Sequence, residues 1–139
     1  LYKGFEMKEF INWEQYEVYI NSITNWYNRN KLDVGAVYGL PRGGLPIAVS
    51  LSHKLNLPLL MDYYDRKIVT DKKILVVDDI ADTGNTLKDF QNKPNIICTF
   101  HYHKQSLVVP DYWIHEKGDK WIVYPWELDD SEEIQDYLT

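Results

Sequence analysis

The chain has 139 residues, 45% of them hydrophobic and 26% charged, enough for one cored domain and too few for two. Its formal net charge of -6 excludes a nucleic-acid backbone as the main partner, because a phosphate ladder needs a basic face. The single cysteine, Cys98, excludes an internal disulfide framework and a cysteine-ligated zinc site. With no recognisable leader peptide it predicts a reducing, cytoplasmic setting, and no apolar run approaches the ~20 residues of a membrane span.

In chain order, the first predicted element is a helix. Asn12 can cap it, with Gln15 in the reciprocal position of a capping box. Trp13, Tyr16, Ile20, Ile23 and Tyr27 then recur at three- and four-residue steps and form one apolar stripe. Val34 to Gly39 reads as a short buried parallel strand ending in glycine. Leu40-Pro41-Arg42-Gly43-Gly44 follows as a loop, and Leu45 to Leu55 as a helix with Pro46 in its first turn. Leu57 to Met61 is a further candidate strand, and Asp62 to Lys72 a charged loop.

The clearest strand is Lys73 to Val77, apolar on both faces. A turn, Asp78 to Gly84, leads from it into a short helix predicted from Asn85 and stopping before Pro94. Asn95 to His101 is another buried strand, with Cys98 as an inert thiol inside it. Strand alternating with helix predicts an α/β fold, a parallel sheet with helices on both faces. Beyond His101 the pattern turns irregular and aromatic, and a polar tail from Asp129 to Thr139 reads as a last helix. The pair His101 and His103 has the spacing of one strand face, but no third ligand stands at a spacing suited to zinc.

In an open parallel sheet, ligands sit beyond the carboxyl ends of the strands. Asp78, Asp79 and Asp82 fall at that end of the strongest strand. Three carboxylates within five residues repel one another unless a cation or hydroxyl groups lie among them. Adjacent acids suit two ribose hydroxyls, or a magnesium ion held through hydroxyls and water. Thr83-Gly84-Asn85-Thr86 adds hydroxyls, a glycine allowing close backbone approach and the amides of a helix start, which together suit a monophosphate. The expectation is a site for a 5-phosphorylated ribose. The glycine pair of Arg42-Gly43-Gly44, at the end of the preceding strand, lets amides turn toward a second anion, with Arg42 as a bidentate donor.

The segment Ile74 to Thr86, with two acids after an apolar strand and Asp-Thr-Gly-x-Thr closing the loop, resembles the phosphoribosyl-pyrophosphate motif of type I phosphoribosyltransferases. The resemblance spans about residues 34 to 127 and implies that family's fold over a single domain, 1–139. Its core would be about 30–104 and its base-binding hood about 105–128. It implies ribose and Mg2+ contacts for Asp78 and Asp79, 5-phosphate contacts for Asp82, Thr83, Gly84, Asn85 and Thr86, and a general acid/base role for Asp82 near the purine N7. Arg42, Gly43 and Gly44 would hold pyrophosphate. The order Phe100-His101-Tyr102-His103-Lys104, then Trp121-Ile122 before Pro125-Trp126-Glu127, is similar to the small xanthine–guanine and hypoxanthine-type members. That likeness implies Lys104 on the 6-oxo group, Trp121 and Ile122 against the ring, and Glu127 as acceptor for a 2-amino group. It also implies phosphoribosyl pyrophosphate and a 6-oxopurine as substrates, and a dimer or tetramer. One departure stands out. Only Asp62 to Lys72 is available for the long lid of these enzymes, with Tyr63-Tyr64 as the nearest aromatic pair. A sugar-phosphate-binding regulator of the same fold, or a transferase for another base, is the alternative.

Overall fold

The computed structural model describes residues 7–127, so the predicted tail helix at Asp129–Thr139 lies outside the described residues. Five strands form one parallel sheet in the order β3-β2-β4-β5-β6. They are β2 (Ala36–Gly39), β3 (Leu59–Leu60), β4 (Ile74–Ala81), β5 (Asn95–Tyr102) and β6 (Tyr112–Glu116). The register runs Val37 to Leu59, Val37 to Leu75, Leu75 to Ile96, and Cys98 to Tyr112. The chain leaves β2 toward β3 on one side and leaves β4 toward β5 on the other. The switch point of the sheet therefore falls between β2 and β4, where the crevice of an open parallel sheet binds ligands.

Two full helices, α1 (Trp13–Arg29) and α2 (Gly44–Leu55), cover one face. The capping box of α1 forms as expected: Asn12 Oδ1 accepts from the Gln15 amide at 2.8 Å, and Gln15 Oε1 from the Asn12 amide at 2.9 Å. The stripe of α1 buries Tyr16, Tyr19, Ile20, Ile23 and Tyr27, whereas Trp13 stays 57% exposed at the helix start. Together with Ile47, Ala48 and Leu51 of α2 these residues pack on Val37, Leu75, Val77, Cys98 and Phe100. Each fully buried Ile or Leu there contributes roughly 1.5–3 kcal/mol.

The opposite face departs from the expected pair of helical layers. Tyr63, Leu87 and Val108 close it over Leu60, Ile74, Val76 and Ile97. They come from short pieces: a 3-10 turn (Tyr63–Asp65) running into the one-turn α3 (Arg66–Val69), a second 3-10 turn (Leu87–Phe90), and the β5–β6 connection. The helix expected from Asn85 is thus only the four-residue turn Leu87–Phe90.

Two further corrections concern the chain ends. Tyr112–Glu116, within the stretch read as irregular, forms the edge strand of the main sheet. The hood contains a second, two-stranded parallel sheet, β1 (Lys8–Phe10) with β7 (Trp121–Val123), so it draws on both ends of the described chain. The three-residue β1 carries no periodicity that sequence could show, and its pairing is non-local.

Candidate functional site

The two loops singled out by sequence meet at the switch point. β2 and β4 pair from Ala36–Ile74 through Gly39–Val77, and the Leu40 amide donates to the Val77 carbonyl at 3.0 Å. Both loops therefore leave the same sheet edge side by side. In the first, the Pro41–Arg42 peptide is cis, Gly43 caps α2, and Arg42 is exposed. Gly43 is required for contact: a Cβ there would run into the Asp79 carboxylate. The chain that would hold pyrophosphate and the acid pair are thus in direct contact.

β4 runs to Ala81, four residues past the expected end at Val77, so Asp78 and Asp79 lie within the strand and the turn begins at Asp82. The strand does not stay regular through the acids. Asp78 Oδ1 accepts from the Asp79 amide at 2.9 Å, and Asp79 Oδ1 from the Ile80 amide at 2.7 Å. Across this stretch the alternation of sides slips. Leu75, Val77 and Ile80 pack toward the helices, whereas Ile74, Val76 and Ala81 pack on the other face. Asp79 is 4% exposed and wedged against Gly43, while Asp78 is half-buried. Tyr38 has its phenol pKa raised by burial first, then by the charges of Asp62 and Asp78.

The turn Asp82–Thr86 is tightly constrained. Gly84 sits at φ +82°, and a Cβ on it would meet the Leu107 and Val108 amides and Ser106 Oγ at 2.7–2.8 Å. The Leu107 amide donates to the Thr83 carbonyl at 2.8 Å, so the β5–β6 connection braces the turn. Thr83 Oγ1 accepts from the Asn85 amide at 3.2 Å, and Thr83 and Asn85 are exposed. Among the described residues, no protein acceptor meets the amides of Thr83, Gly84 or Thr86.

Asp82 lies at the mouth of this turn, and two residues that sequence reading missed hold it. Gln105 Nε2 donates to Oδ1 at 3.0 Å, and the Lys117 ammonium lies 3.8 Å from Oδ2. Lys117 follows β6, and its amide donates to the Tyr102 carbonyl at 2.7 Å, which carries the side chain over the end of β5. Nothing in the local sequence Glu116-Lys117-Gly118 signals this contact, because it depends on the strand order.

The residues expected on the base side divide. Trp121 and Ile122 lie on hood strand β7, with the Trp121 amide donating to the Met7 carbonyl at 2.8 Å and Ile122 buried. Ile122, Tyr19, His101, His115 and Lys117 line a cleft of about 320 Å³ below the hood. Lys104, by contrast, is exposed in the turn closed by the Ser106 amide on the His103 carbonyl. Glu127 turns back on its own chain: Oε1 accepts from the Tyr124 amide at 2.8 Å. Burial raises the Glu127 pKa, while that amide and the Arg42 charge oppose the rise.

A buried chain links hood and acids. Tyr124 OH donates to the Asp79 carbonyl at 3.2 Å and lies 2.8 Å from His101 Nδ1. Burial, then the charges of His115 and Lys117, lower the His101 pKa to about 4. His103 Nδ1 accepts from the Gln105 amide at 3.2 Å, so the two histidines serve separate local contacts. No cluster of three metal-ligating side chains exists among the described residues.

The Asp62–Lys72 segment crosses from β3 to β4 and is fastened down. Arg66 donates to Asn95 Oδ1 at 2.8 Å and to the Pro94 carbonyl at 3.0 Å, and also bonds Tyr63 OH. Asn95 and Pro94 mark the start of β5, so the segment is tied at the end of the sheet away from the site.

This arrangement resembles the expected one of type I phosphoribosyltransferases: two glycine-containing loops stand on adjacent parallel strands, with an acid pair between them and a small second sheet beside them. No family model matches the chain. It is 29% identical to a xanthine-guanine phosphoribosyltransferase of Idiomarina loihiensis over 143 aligned positions, covering 86% of each chain. It is 27% identical to a hypoxanthine phosphoribosyltransferase of Haemophilus influenzae over 73% of each. The crystal structure of a purine phosphoribosyltransferase from Pyrococcus horikoshii superposes with a TM-score of 0.75 at 29% identity, covering 91% of this chain and 98% of that one. In sequence and in fold the chain is thus similar to purine phosphoribosyltransferases over most of its length. Among the described residues no helix is long and apolar enough to cross a membrane.

Proposed function

We propose that the protein transfers the 5-phosphoribosyl group of phosphoribosyl pyrophosphate to N9 of a 6-oxopurine (hypoxanthine, guanine or xanthine), releasing pyrophosphate, as in purine salvage. The observation that carries this reading is the junction of the two loops at the β2/β4 switch point, with Asp82 opening the second loop 3.8 Å from Lys117, which lines the cleft. The relatives that bear purine transferase names support the base class.

In this reading Thr83, Gly84, Asn85 and Thr86 hold the 5-phosphate through amides and hydroxyls, with the Asp82 backbone at the rim. Gly43, Gly44 and Arg42 hold pyrophosphate. Asp78 and Asp79 face the ribose side. Asp78 is the better placed for direct contact, because Asp79 is buried against Gly43. Asp78 would hold Mg2+, a hard cation suited to carboxylate oxygen, and the ion would supply charge that neutralises the pyrophosphate leaving group. The Asp82 carboxylate accepts the proton that the purine loses at N7 as N9 bonds to C1 of the ribose, and its charge also favours a cationic ribose. Trp121 and Ile122 bound the ring, Lys104 lies at the outer edge, and Glu127, whose Oε1 accepts from the Tyr124 amide, keeps Oε2 to receive a 2-amino group. A homo-oligomer and a cytoplasmic setting accompany the reading.

The test is pyrophosphate release by purified protein with the sugar donor, Mg2+ and a panel of bases. Release that requires hypoxanthine, guanine or xanthine supports the proposal. Binding of the donor with no release on any base would replace it with a sugar-phosphate-binding regulator.

A further inference from the structure

Tyr124 directly follows hood strand β7, is 3% exposed, and reaches β4 through its hydroxyl. The β4–β5 register steps from Asp78–Thr99 to Ile80–His101 and passes over Asp79. There the Asp79 carbonyl accepts from Tyr124 OH at 3.2 Å. That carbonyl and the Ile80 amide are opposite ends of one planar peptide. The Ile80 amide donates to Asp79 Oδ1 at 2.7 Å, and the Asp79 amide to Asp78 Oδ1 at 2.9 Å. Fixing the carbonyl end of that plane therefore fixes the amide that holds the Asp79 carboxylate against Gly43. A phenol carries a single hydrogen, and Tyr124 commits it to Asp79. His101 Nδ1, 2.8 Å from the phenol oxygen, is then the donor to it. His101 is 2% exposed and, with its pKa lowered by burial to about 4, neutral near pH 7, so Nε2 is the bare nitrogen.

We propose that Tyr124, oriented by the Nδ1–H tautomer of His101, is the positioning residue that holds Asp78 and Asp79 for the ribose side of the sugar donor. The inference rests on the transferase reading above and deepens it with two residues that touch no substrate. Both come from outside the segment they serve. Tyr124 follows the hood strand that carries Trp121, so the wall proposed for the base and the acids proposed for the ribose are tied into one unit. Its ring stacks on Trp126 at 5.1 Å and packs on Phe100, which keeps the hydroxyl aimed at β4. Without the hydroxyl the Asp79 carbonyl loses a buried donor, and nothing on the hood then sets the peptide plane.

The test has two parts. Nitrogen NMR of the labelled wild-type imidazoles should show His101 with a protonated Nδ1 and a bare Nε2 near neutral pH, and the opposite tautomer overturns the assignment. Calorimetric titration with phosphoribosyl pyrophosphate and Mg2+, and steady-state kinetics with hypoxanthine, guanine and xanthine, then compare wild type, Tyr124→Phe, His101→Leu and His101→Asn. Tyr124→Phe and His101→Leu should weaken donor binding and raise its KM about threefold to tenfold, with KM for the base within about twofold. His101→Asn, whose amide nitrogen stands in for Nδ1–H, should recover most of the loss. Native donor affinity in both Tyr124→Phe and His101→Leu overturns the proposal. So does an equal loss of affinity for donor and base, which would make the pair structural only. The tautomer measurement needs no variant, so a substitution that misfolds still leaves the proposal open to refutation. A wild type that binds the donor but transfers to no base overturns the transferase reading alone, because the calorimetric comparison still decides the role of Tyr124. A wild type that binds no donor overturns both.

Discussion

The proposed sugar-phosphate side and the proposed base side of the site are built differently. Each anion loop on the first side is one contiguous segment, Leu40–Gly44 or Asp82–Thr86, and the two are brought together by the pairing of β2 with β4. The base side is assembled from the turn after β5, the end of β6 and a hood sheet formed by strands from opposite ends of the described chain. A contiguous loop keeps its geometry in its own turn residues. An assembled surface keeps it in tertiary packing, and a substitution there is felt through neighbours.

The largest effect that sharpens this contrast is at Asp82, where the two sides meet. Asp82→Asn should lower kcat about 10²-fold or more, while KM for phosphoribosyl pyrophosphate changes little. Unchanged turnover would remove Asp82 from the chemistry and place the proton acceptor elsewhere.

Next comes acid stability, which belongs to the base side through His101. Its folded pKa of about 4 lies below the ordinary 6.5, so below pH 6.5 the unfolded chain binds the extra proton and the folded chain does not. Stability should therefore be full above pH 6.5 and fall as pH drops toward 4, by about 3 kcal/mol from this residue. Urea melts across that range, compared with His101→Gln, measure the loss. Parallel curves for the two proteins would contradict the account.

Gly84→Ala probes the phosphate side alone. The positive φ and the contacts to Leu107 and Val108 should make it cost about 1–3 kcal/mol and raise KM for phosphoribosyl pyrophosphate, with KM for the base little changed. A variant with native Tm and native substrate binding would show that the turn is not held as described.

The smallest effect is expected at Arg66. Removing its bonds to Asn95 and Pro94 by Arg66→Ala should lower stability by about 1 kcal/mol and leave turnover within about twofold, because the Asp62–Lys72 crossover is fastened away from the site. A large loss of kcat would mean that this segment acts as a lid after all.

The same contrast explains what could be read from the sequence. The capping box at Asn12, the stripe of α1 and the apolar runs of β4 and β5 are signals within one element, and they form as expected. The turn proposed for the 5-phosphate could be singled out for the same reason, since its acid, threonines and glycine are neighbours in sequence. The extension of β4 through Asp78 and Asp79 was not, because two adjacent acids argue against a strand. Their own carboxylates satisfy the amides of Asp79 and Ile80 that regular pairing would have used. Lys117, Gln105 and the hood strand β1 were beyond reach, since each matters only through a partner fixed by tertiary structure.

The most direct measurement is the appearance of a nucleoside 5'-monophosphate when purified protein, phosphoribosyl pyrophosphate and Mg2+ are mixed with hypoxanthine, guanine, xanthine or adenine, and separated chromatographically. The account expects a nucleotide from at least one 6-oxopurine, little from adenine, and at least a 10²-fold slower product with Asp82→Asn. Nucleotide from adenine alone, or from none of the four, would contradict it.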